Sequence, residues 1–306
     1  MRRDIEGVNR NASVDLHVHS TASDGALTPR AIVESAARLG LAALAISDHD
    51  TVDGLPEAGE AIAGTGVRFI PAVELSINLL SGGSAHLLGY FPGIEPDVLC
   101  DRSADLGRAL AGVRAARDTR NPRIIEKLAQ LGFPLFEEEV LEFAGGDVVG
   151  RPHIAQALMA RGYVQNSREA FDRFLARGRP AYVERERLWE NTALDLIRSL
   201  GGLPVLAHPG LIDGDGRNLP ALIRSLASRG LAGLEVYYPR HSAETIAALL
   251  REAAEAGLLV SGGTDFHGSP EDSAGMGGTQ GVFMVKVSQV EGFLRRCFGD
   301  IELTED

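Results

Sequence analysis

All eight histidines of this chain sit in short polar clusters, and most share the cluster with a carboxylate. His17 and His19 lie in Asp-Leu-His-Val-His, His49 in Ser-Asp-His-Asp, His208 in Ala-His-Pro-Gly and His267 in Thr-Asp-Phe-His; His86, His153 and His241 complete the set. Neutral nitrogen and anionic oxygen gathered from distant segments bind borderline and hard divalent cations, so the expected chemistry is metal-dependent hydrolysis. Residues two apart in an extended chain point to one side, which spaces His17 and His19 for joint ligation of one ion. A lone His-x-His carries little weight, because most single histidines have a satisfied structural role. Five clusters carry more, since burying so many titratable groups without a cation is costly.

Such residues need elements that bring them together. Residues 14–18 read as a strand, Thr28-Pro29 opens a helix with a cap and a first-turn proline, and Gly40 closes it. Further strands are expected at 41–46, 67–73 and 85–89, then at 203–207, 231–236 and 258–261, with a last one at 282–287 before a terminal helix. Helical stretches at 219–228 and 243–256 separate the later strands. Strands alternating with helices predict parallel β with helices outside, and seven or eight such strands suit a closed or nearly closed barrel. Between about 100 and 191 the strand signal gives way to helical periodicity, seen at 124–131 and 154–159. The expected organisation is an α/β barrel over 13–99 and 192–300, interrupted by a helical insertion at 100–191. His17 and His19 close the first strand, Asp48 and His49 the second, Glu74 the third, His208 the fifth, and Asp265 and His267 the seventh. In barrels of this kind the loops after the strands' C-terminal ends converge on one face.

Composition narrows the function. Apolar residues make up 44% and charged residues 24% of the 306, ordinary for a soluble globular protein. A formal net charge of −12 argues against a broad nucleic-acid-coating surface, which works by neutralising many phosphates, yet leaves room for a small anion held locally. Cys100 and Cys297 lie outside every histidine cluster and form no CxxC pair, as expected of reduced thiols in a cytoplasmic protein. No apolar run reaches the length of a membrane span, and a monomer is the expected state.

The motifs in order, His-x-His with Asp24 in Ser-Asp-Gly, Ser-Asp-His-Asp, Glu74 in Val-Glu-Leu-Ser, His86, Ala-His-Pro and Asp-Phe-His, resemble the PHP (polymerase and histidinol phosphatase) family of metallophosphoesterases. The resemblance spans nearly the whole chain and is greatest to stand-alone members that act on nucleoside 3′,5′-bisphosphates or short 5′-phosphorylated oligonucleotides. It implies a distorted (β/α)7 barrel with a helical insertion covering the site, and up to three divalent ions, manganese foremost, with magnesium, zinc or iron as alternatives. Carried over, His17, His19, Glu74 and Asp265 hold one ion, Glu74 bridges to a second held by His86 and His208, and Asp24, His49 and His267 hold the third. A metal-activated water is then the nucleophile, and the implied activity is phosphomonoester hydrolysis. Histidinol phosphatase is the alternative enzyme, and a non-catalytic PHP module the alternative class.

Substrate contacts are expected from a second group. Asp48 is the candidate for a substrate hydrogen bond or a proton transfer, with orientation of His49 as its equal alternative. Arg114, Arg117 and Arg120 are spaced by three along one helical face. Spacing alone suggests a solvated stripe; the resemblance implies guanidinium forks presented to the substrate's second phosphate, Arg114 and Arg117 foremost. Arg151, Pro152 and His153 begin a helix whose free backbone N–H groups favour an anion; a capping Arg and a packed His are the alternative, and the resemblance implies substrate contact. Arg240, His241 and Ser242 follow the strand ending at Tyr237 and either bind phosphate or simply start a helix. Tyr182 and Trp189 are expected in the core rather than stacked on a base.

Overall fold

The computed structural model of the protein describes residues 7–101, 105–146, 148–212, 218–269, 272–278 and 282–304. Its strands are β1 (Val8–Asn9), β2 (Ser13–Val18), β3 (Ala43–Ile46), β4 (Arg68–Asn78), β5 (Ser84–Tyr90), β6 (Leu188–Trp189), β7 (Leu203–Leu206), β8 (Gly233–Tyr237), β9 (Leu259–Gly262), β10 (Val285–Lys286) and β11 (Leu303–Thr304). β1 and β11 form a small parallel pair, and the main sheet runs β10-β2-β3-β4-β5-β7-β8-β9 with β6 alongside β4.

This sheet is mixed, which corrects the expectation of parallel strands throughout. β5 is antiparallel to both β4 and β7, and β10 is antiparallel to β2. The cause lies in the turn between β4 and β5, where Gly82 and Gly83 take φ of 95° and 86°. A connection this short can only return the chain antiparallel, because a parallel neighbour needs a crossover of a dozen residues or more. The first and last barrel strands still meet: Val18 bridges Phe266, Asp265 N donates to His17 O at 2.9 Å, and His19 N donates to Phe266 O at 2.9 Å. The barrel therefore closes at its histidine-bearing mouth.

Alternation along each strand builds two cores. Leu44, Ile46, Val73, Leu75, Ile77 and Leu206 face outward against helices, among them Pro29–Arg38, Glu190–Ser199 and Leu219–Ser228. Ala43, Ala45, Ile70, Ala72, Leu88, Tyr90 and Val205 fill the interior with Phe293. On β4 the interior positions read Ile70, Ala72, Glu74, Ser76, changing from apolar to polar toward the C-terminal end. The same period of two that packs the barrel floor thus places Glu74 at its mouth. Thr28 caps the first long helix, its hydroxyl accepting from Ala31 N at 3.2 Å.

Helices dominate between β5 and β6. The longest, Asp105–Gln130, runs unbroken through Pro122 and joins the helical face of Arg114, Arg117 and Arg120 to the periodic stretch from 124, and Arg151–Ala160 follows. Ile124, Leu128, Ile154, Leu158, Phe174 and Leu175 form an apolar cluster separate from the barrel's. Among the described residues no helix is long and apolar enough to cross a membrane.

The barrel floor yields a stability prediction. Phe293 is fully buried and meets the Tyr90 ring edge-on at 4.8 Å between centroids. Phe293→Ala is expected to cost about 3–5 kcal/mol, from lost transfer energy plus the cavity left behind. Urea unfolding should show a lower midpoint with an unchanged slope.

Candidate metal centre

Every residue assigned to metal binding from the sequence lies at one end of the barrel. Three groups place their ligand atoms within 4.8 Å of one another: His17, His19, Glu74 and Asp265; His49, Glu74 and His86; and His19, Asp24, His49 and His267. The grouping differs from the one implied by resemblance, since His19 and His49 each stand in two groups. His208 sits beside the second, with Nε2 3.1 Å from Glu74 Oε1 and 3.4 Å from His86 Nδ1.

Glu74 is the hub. Its Oε1 lies 3.1 Å from His86 Nδ1 and 3.5 Å from His17 Nε2, and its Oε2 lies 3.4 Å from His19 Nε2 and 2.8 Å from His49 Nδ1. Asp265 Oδ1 approaches His19 Nε2 at 3.1 Å and His17 Nε2 at 3.3 Å. Asp24 reaches His267 Nε2 at 3.4 Å, with His19 and His49 at 3.8 and 3.9 Å.

Several of these atoms lack the hydrogen bond that burial demands. His19 Nδ1, His49 Nδ1, Glu74 Oε2 and His208 Nδ1 are buried without an aligned partner, even though His49 and Glu74 are close. An unpaired buried polar group is costly, and four at one barrel mouth fit a cation-binding donor set of imidazole and carboxylate.

The electrostatics have the same character. Burial, then the neighbouring His267 and His49, pushes His19 down to about 3, leaving its imidazole neutral. His267 is opposed by burial but raised to about 10, chiefly by Asp24. Burial likewise opposes protonation of His17, yet Glu235, Asp265 and Glu74 raise it well above the usual range. Glu74 stays well below the usual carboxylate range against the cost of burial, because His86, His49 and His17 surround it.

Backbone strain marks the same place. Among the described residues the non-glycine positions with positive φ are Asp50 (53°), His208 (29°) and Asp265 (56°), each just beyond a barrel strand. Such conformations are unfavourable by about 1–3 kcal/mol and persist where the surroundings over-determine them. Gly263 supplies room for the cluster, as a Cβ there would lie 2.5 Å from His17 Cβ.

Beside the cluster opens a cavity of about 230 Å³. Its lining brings Asp24, His49 and His86 together with Arg117, Arg120, Arg151, Arg185 and Arg187, along with Pro152 and Phe171. Arg117, Arg120, Arg151 and Pro152 were expected at such a position. Arg185 and Arg187 were not, because they lie in irregular chain with no periodicity to single them out.

Other expected contacts lie elsewhere. Asp48 turns away from the cavity: Oδ1 accepts from Ser20 N at 2.7 Å and Ser23 Oγ at 2.6 Å, and Oδ2 accepts from Ser20 Oγ at 2.6 Å. With both oxygens hydrogen-bonded to serines, it holds the loop that carries Asp24, and it is not among the residues lining this cavity. Arg114 leans toward Asp53, with Nη1 3.8 Å from Oδ2. His153 Nδ1 accepts from Gly150 N at 3.0 Å and so caps its helix. Arg240 is exposed, His241 uses both ring nitrogens on Val236 O and Gly210 N, and Ser242 caps the next helix. Tyr182 lies under the Arg151 guanidinium and Trp189 is half exposed, so neither is a core residue.

Two further residues near the cluster escaped sequence reasoning. Glu235, fully buried on β8, accepts from His17 Nδ1 at 2.9 Å and from His208 N at 2.7 Å. Tyr238 donates its hydroxyl to Asp265 Oδ2 at 3.1 Å. A lone Glu within the apolar run Leu231 to Tyr238 was the available signal for the first.

Known proteins resemble this chain over nearly its full length. A 3′,5′-nucleoside bisphosphate phosphatase of Chromobacterium violaceum is 32% identical over 277 residues, covering 88% of this chain and 92% of that protein. A 5′-3′ exoribonuclease of Haemophilus influenzae is 34% identical over 254 residues, 83% of this chain and 89% of that one. A crystal structure of a protein assigned as a metal-dependent phosphoesterase, from Bifidobacterium adolescentis, superposes with a TM-score of 0.79 at 31% identity, covering 96% of this chain and 98% of the other. The PHP domain model matches residues 15–176, and with that match the order of the motifs, the barrel and the clustered ligands have one explanation: the chain belongs to the PHP family.

Proposed function

We propose that the protein is a metal-dependent phosphomonoesterase acting on nucleoside 3′,5′-bisphosphates, with short 5′-phosphorylated oligoribonucleotides as a further substrate class. The observation that carries this reading is one cavity lined both by candidate metal ligands and by five arginines. His17, His19, Asp24, His49, Glu74, His86, His208, Asp265 and His267 would hold up to three divalent ions, manganese foremost. Cations there would activate water for in-line attack on phosphorus and neutralise charge on the phosphoryl oxygens. The chain's own groups then have separable tasks. Arg117, Arg151 and Arg185 receive the second phosphate as charge-assisted donors, and the 100–191 segment that carries them, Arg117 and Arg151 on helices and Arg185 on irregular chain, closes the cavity against water. Histidinol phosphate has one phosphate and gives the arginines nothing to bind, which favours the bisphosphate. We place this activity in the cytoplasm and in a monomer.

The substrate assignment is tested by phosphate release from adenosine 3′,5′-bisphosphate, histidinol phosphate and a short 5′-phosphorylated RNA. The bisphosphate should be turned over fastest; turnover of histidinol phosphate alone would move the assignment to that enzyme.

A pH dependence follows from the proton-loaded imidazoles. A ligand imidazole must be neutral, so protons held on His267 and His17 leave when a cation binds, and affinity rises with pH. Manganese affinity measured by calorimetry should fall by about tenfold per pH unit for each coupled proton between pH 7.5 and 6.5. Affinity that did not change over this range would contradict the ligand assignment.

A further inference from the structure

We infer that Asp50 is a positioning residue for substrate recognition: one carboxylate that sets the orientation of two cavity arginines, Arg117 and Arg185. The inference rests on the proposed bisphosphate reading and deepens it. Asp50 is fully buried just past β3, with a left-handed φ of 53°, and its N–H donates to Glu74 O at 2.9 Å. That conformation turns its side chain away from the ligand cluster and toward the cavity arginines. Oδ1 accepts from Ser76 N at 2.8 Å, and Oδ2 accepts from Ser76 Oγ and from Arg185 Nη2, each at 3.1 Å, and from Arg117 Nη2.

Both arginines come from the helical segment between β5 and β6, Arg117 from the long helix and Arg185 from irregular chain 68 positions later. The chain before Arg185 packs on the long helix through Val183, and Lys127 Nζ donates to Tyr182 O at 3.0 Å, but the side-chain partner that the two guanidiniums share is Asp50. Asp50, anchored to β4 through Ser76, is the shared reference. Each guanidinium has a buried donor left over, Arg117 Nε and Arg185 Nη1, without a protein partner, while both side chains are more than nine-tenths buried and line the cavity. A single carboxylate also leaves two guanidiniums with one uncompensated positive charge, beside Arg120 and Arg151. Unused donors and surplus charge in one cavity describe an anion receptor whose fork geometry Asp50 holds.

Charge and position make opposite predictions here. If Asp50 acted only through its charge, removing that charge would tighten anion binding. If it positions, releasing two guanidiniums weakens binding even though the cavity becomes more positive, since a misplacement of order 1 Å costs up to about a hundredfold.

The test is Asp50→Asn in the metal-loaded full-length protein, with steady-state kinetics on adenosine 3′,5′-bisphosphate and bound manganese counted. The expected result is a KM raised at least about tenfold, kcat within about threefold and manganese content unchanged. An equal or lower KM, or a loss confined to kcat, overturns the inference. Asp50→Glu keeps the charge but displaces the carboxylate, and should raise KM likewise; wild-type KM in that variant would show that charge alone matters. Should the wild type release no phosphate from the bisphosphate, the proposed function fails separately. Calorimetry with inorganic phosphate then decides the present point: binding about tenfold weaker in Asp50→Asn supports it, and equal or tighter binding overturns it.

Discussion

Replacing Glu74 with Gln is expected to lower kcat/KM by about a thousandfold or more and to remove at least one equivalent of bound metal. Glu74 is fully buried, and His17, His19, His49, His86 and His208 all approach its two oxygens within 3.5 Å. It also joins two of the three ligand groups. Gln keeps the shape but loses the negative charge and turns an N–H₂ toward the imidazoles. Cation stabilisation of a phosphoryl transition state is worth several kcal/mol, and each 1.36 kcal/mol is tenfold, which sets the scale of the loss. Metal analysis beside the kinetics separates a lost ligand from a disturbed fold. A Gln variant with full metal content and near-normal turnover would remove Glu74 from the centre.

Glu235→Gln is expected to weaken manganese binding by about 10–100-fold, the usual effect of removing a carboxylate that orients a ligating imidazole. Glu235 contributes to none of the ligand groups, yet its Oε1 accepts the His17 Nδ1 proton and its Oε2 the His208 backbone N–H. Once His17 has lost a proton to cation binding, the first bond keeps the remaining one on Nδ1 and leaves Nε2, on the side of Glu74 and Asp265, free to ligate. The second holds a residue whose φ of 29° is unfavourable by itself. Gln accepts through one oxygen only and offers N–H₂ at the other site, so one of the two bonds is lost. Glu235→Ala adds a different cost, about 1–3 kcal/mol for each buried donor left unsatisfied. Comparing the two variants by calorimetry and thermal unfolding therefore distinguishes orientation of the ligands from stability of the barrel.

Much of this arrangement was legible in the sequence, for a physical reason. A ligand at a barrel mouth continues the interior face of an alternating strand, so Ile70, Ala72, Glu74 marks both the strand and the point where it reaches the site. Clusters after successive strands converge by topology, without any need for side-chain detail. The residues missed depend on such detail. Ser-Asp-His-Asp contains two acids of equal standing, and only the left-handed turn at Asp50 decides that Asp50 faces the arginines while Asp48 binds serines. Arg114 and Arg117 share a helix spacing, but the cavity lies along the line of Arg117 and Arg120. Arg185 belongs to chain without periodicity. The antiparallel return of β5 had a signal in Ser81-Gly82-Gly83, since consecutive glycines between apolar alternations favour a tight hairpin. The continuous helix through Pro122 had none, because an interior proline ordinarily ends a helix and here tertiary packing around Ile124 and Leu128 outweighs it.

Dependence of bisphosphate hydrolysis on metal ions held by these histidines and carboxylates is measured as phosphate release from adenosine 3′,5′-bisphosphate by protein stripped with a chelator and then titrated with manganese. Activity should be absent at the start, rise with added metal and level off at two to three equivalents per chain. Phosphate release by the stripped protein at the rate of the reconstituted one, or none at any manganese concentration, would contradict it.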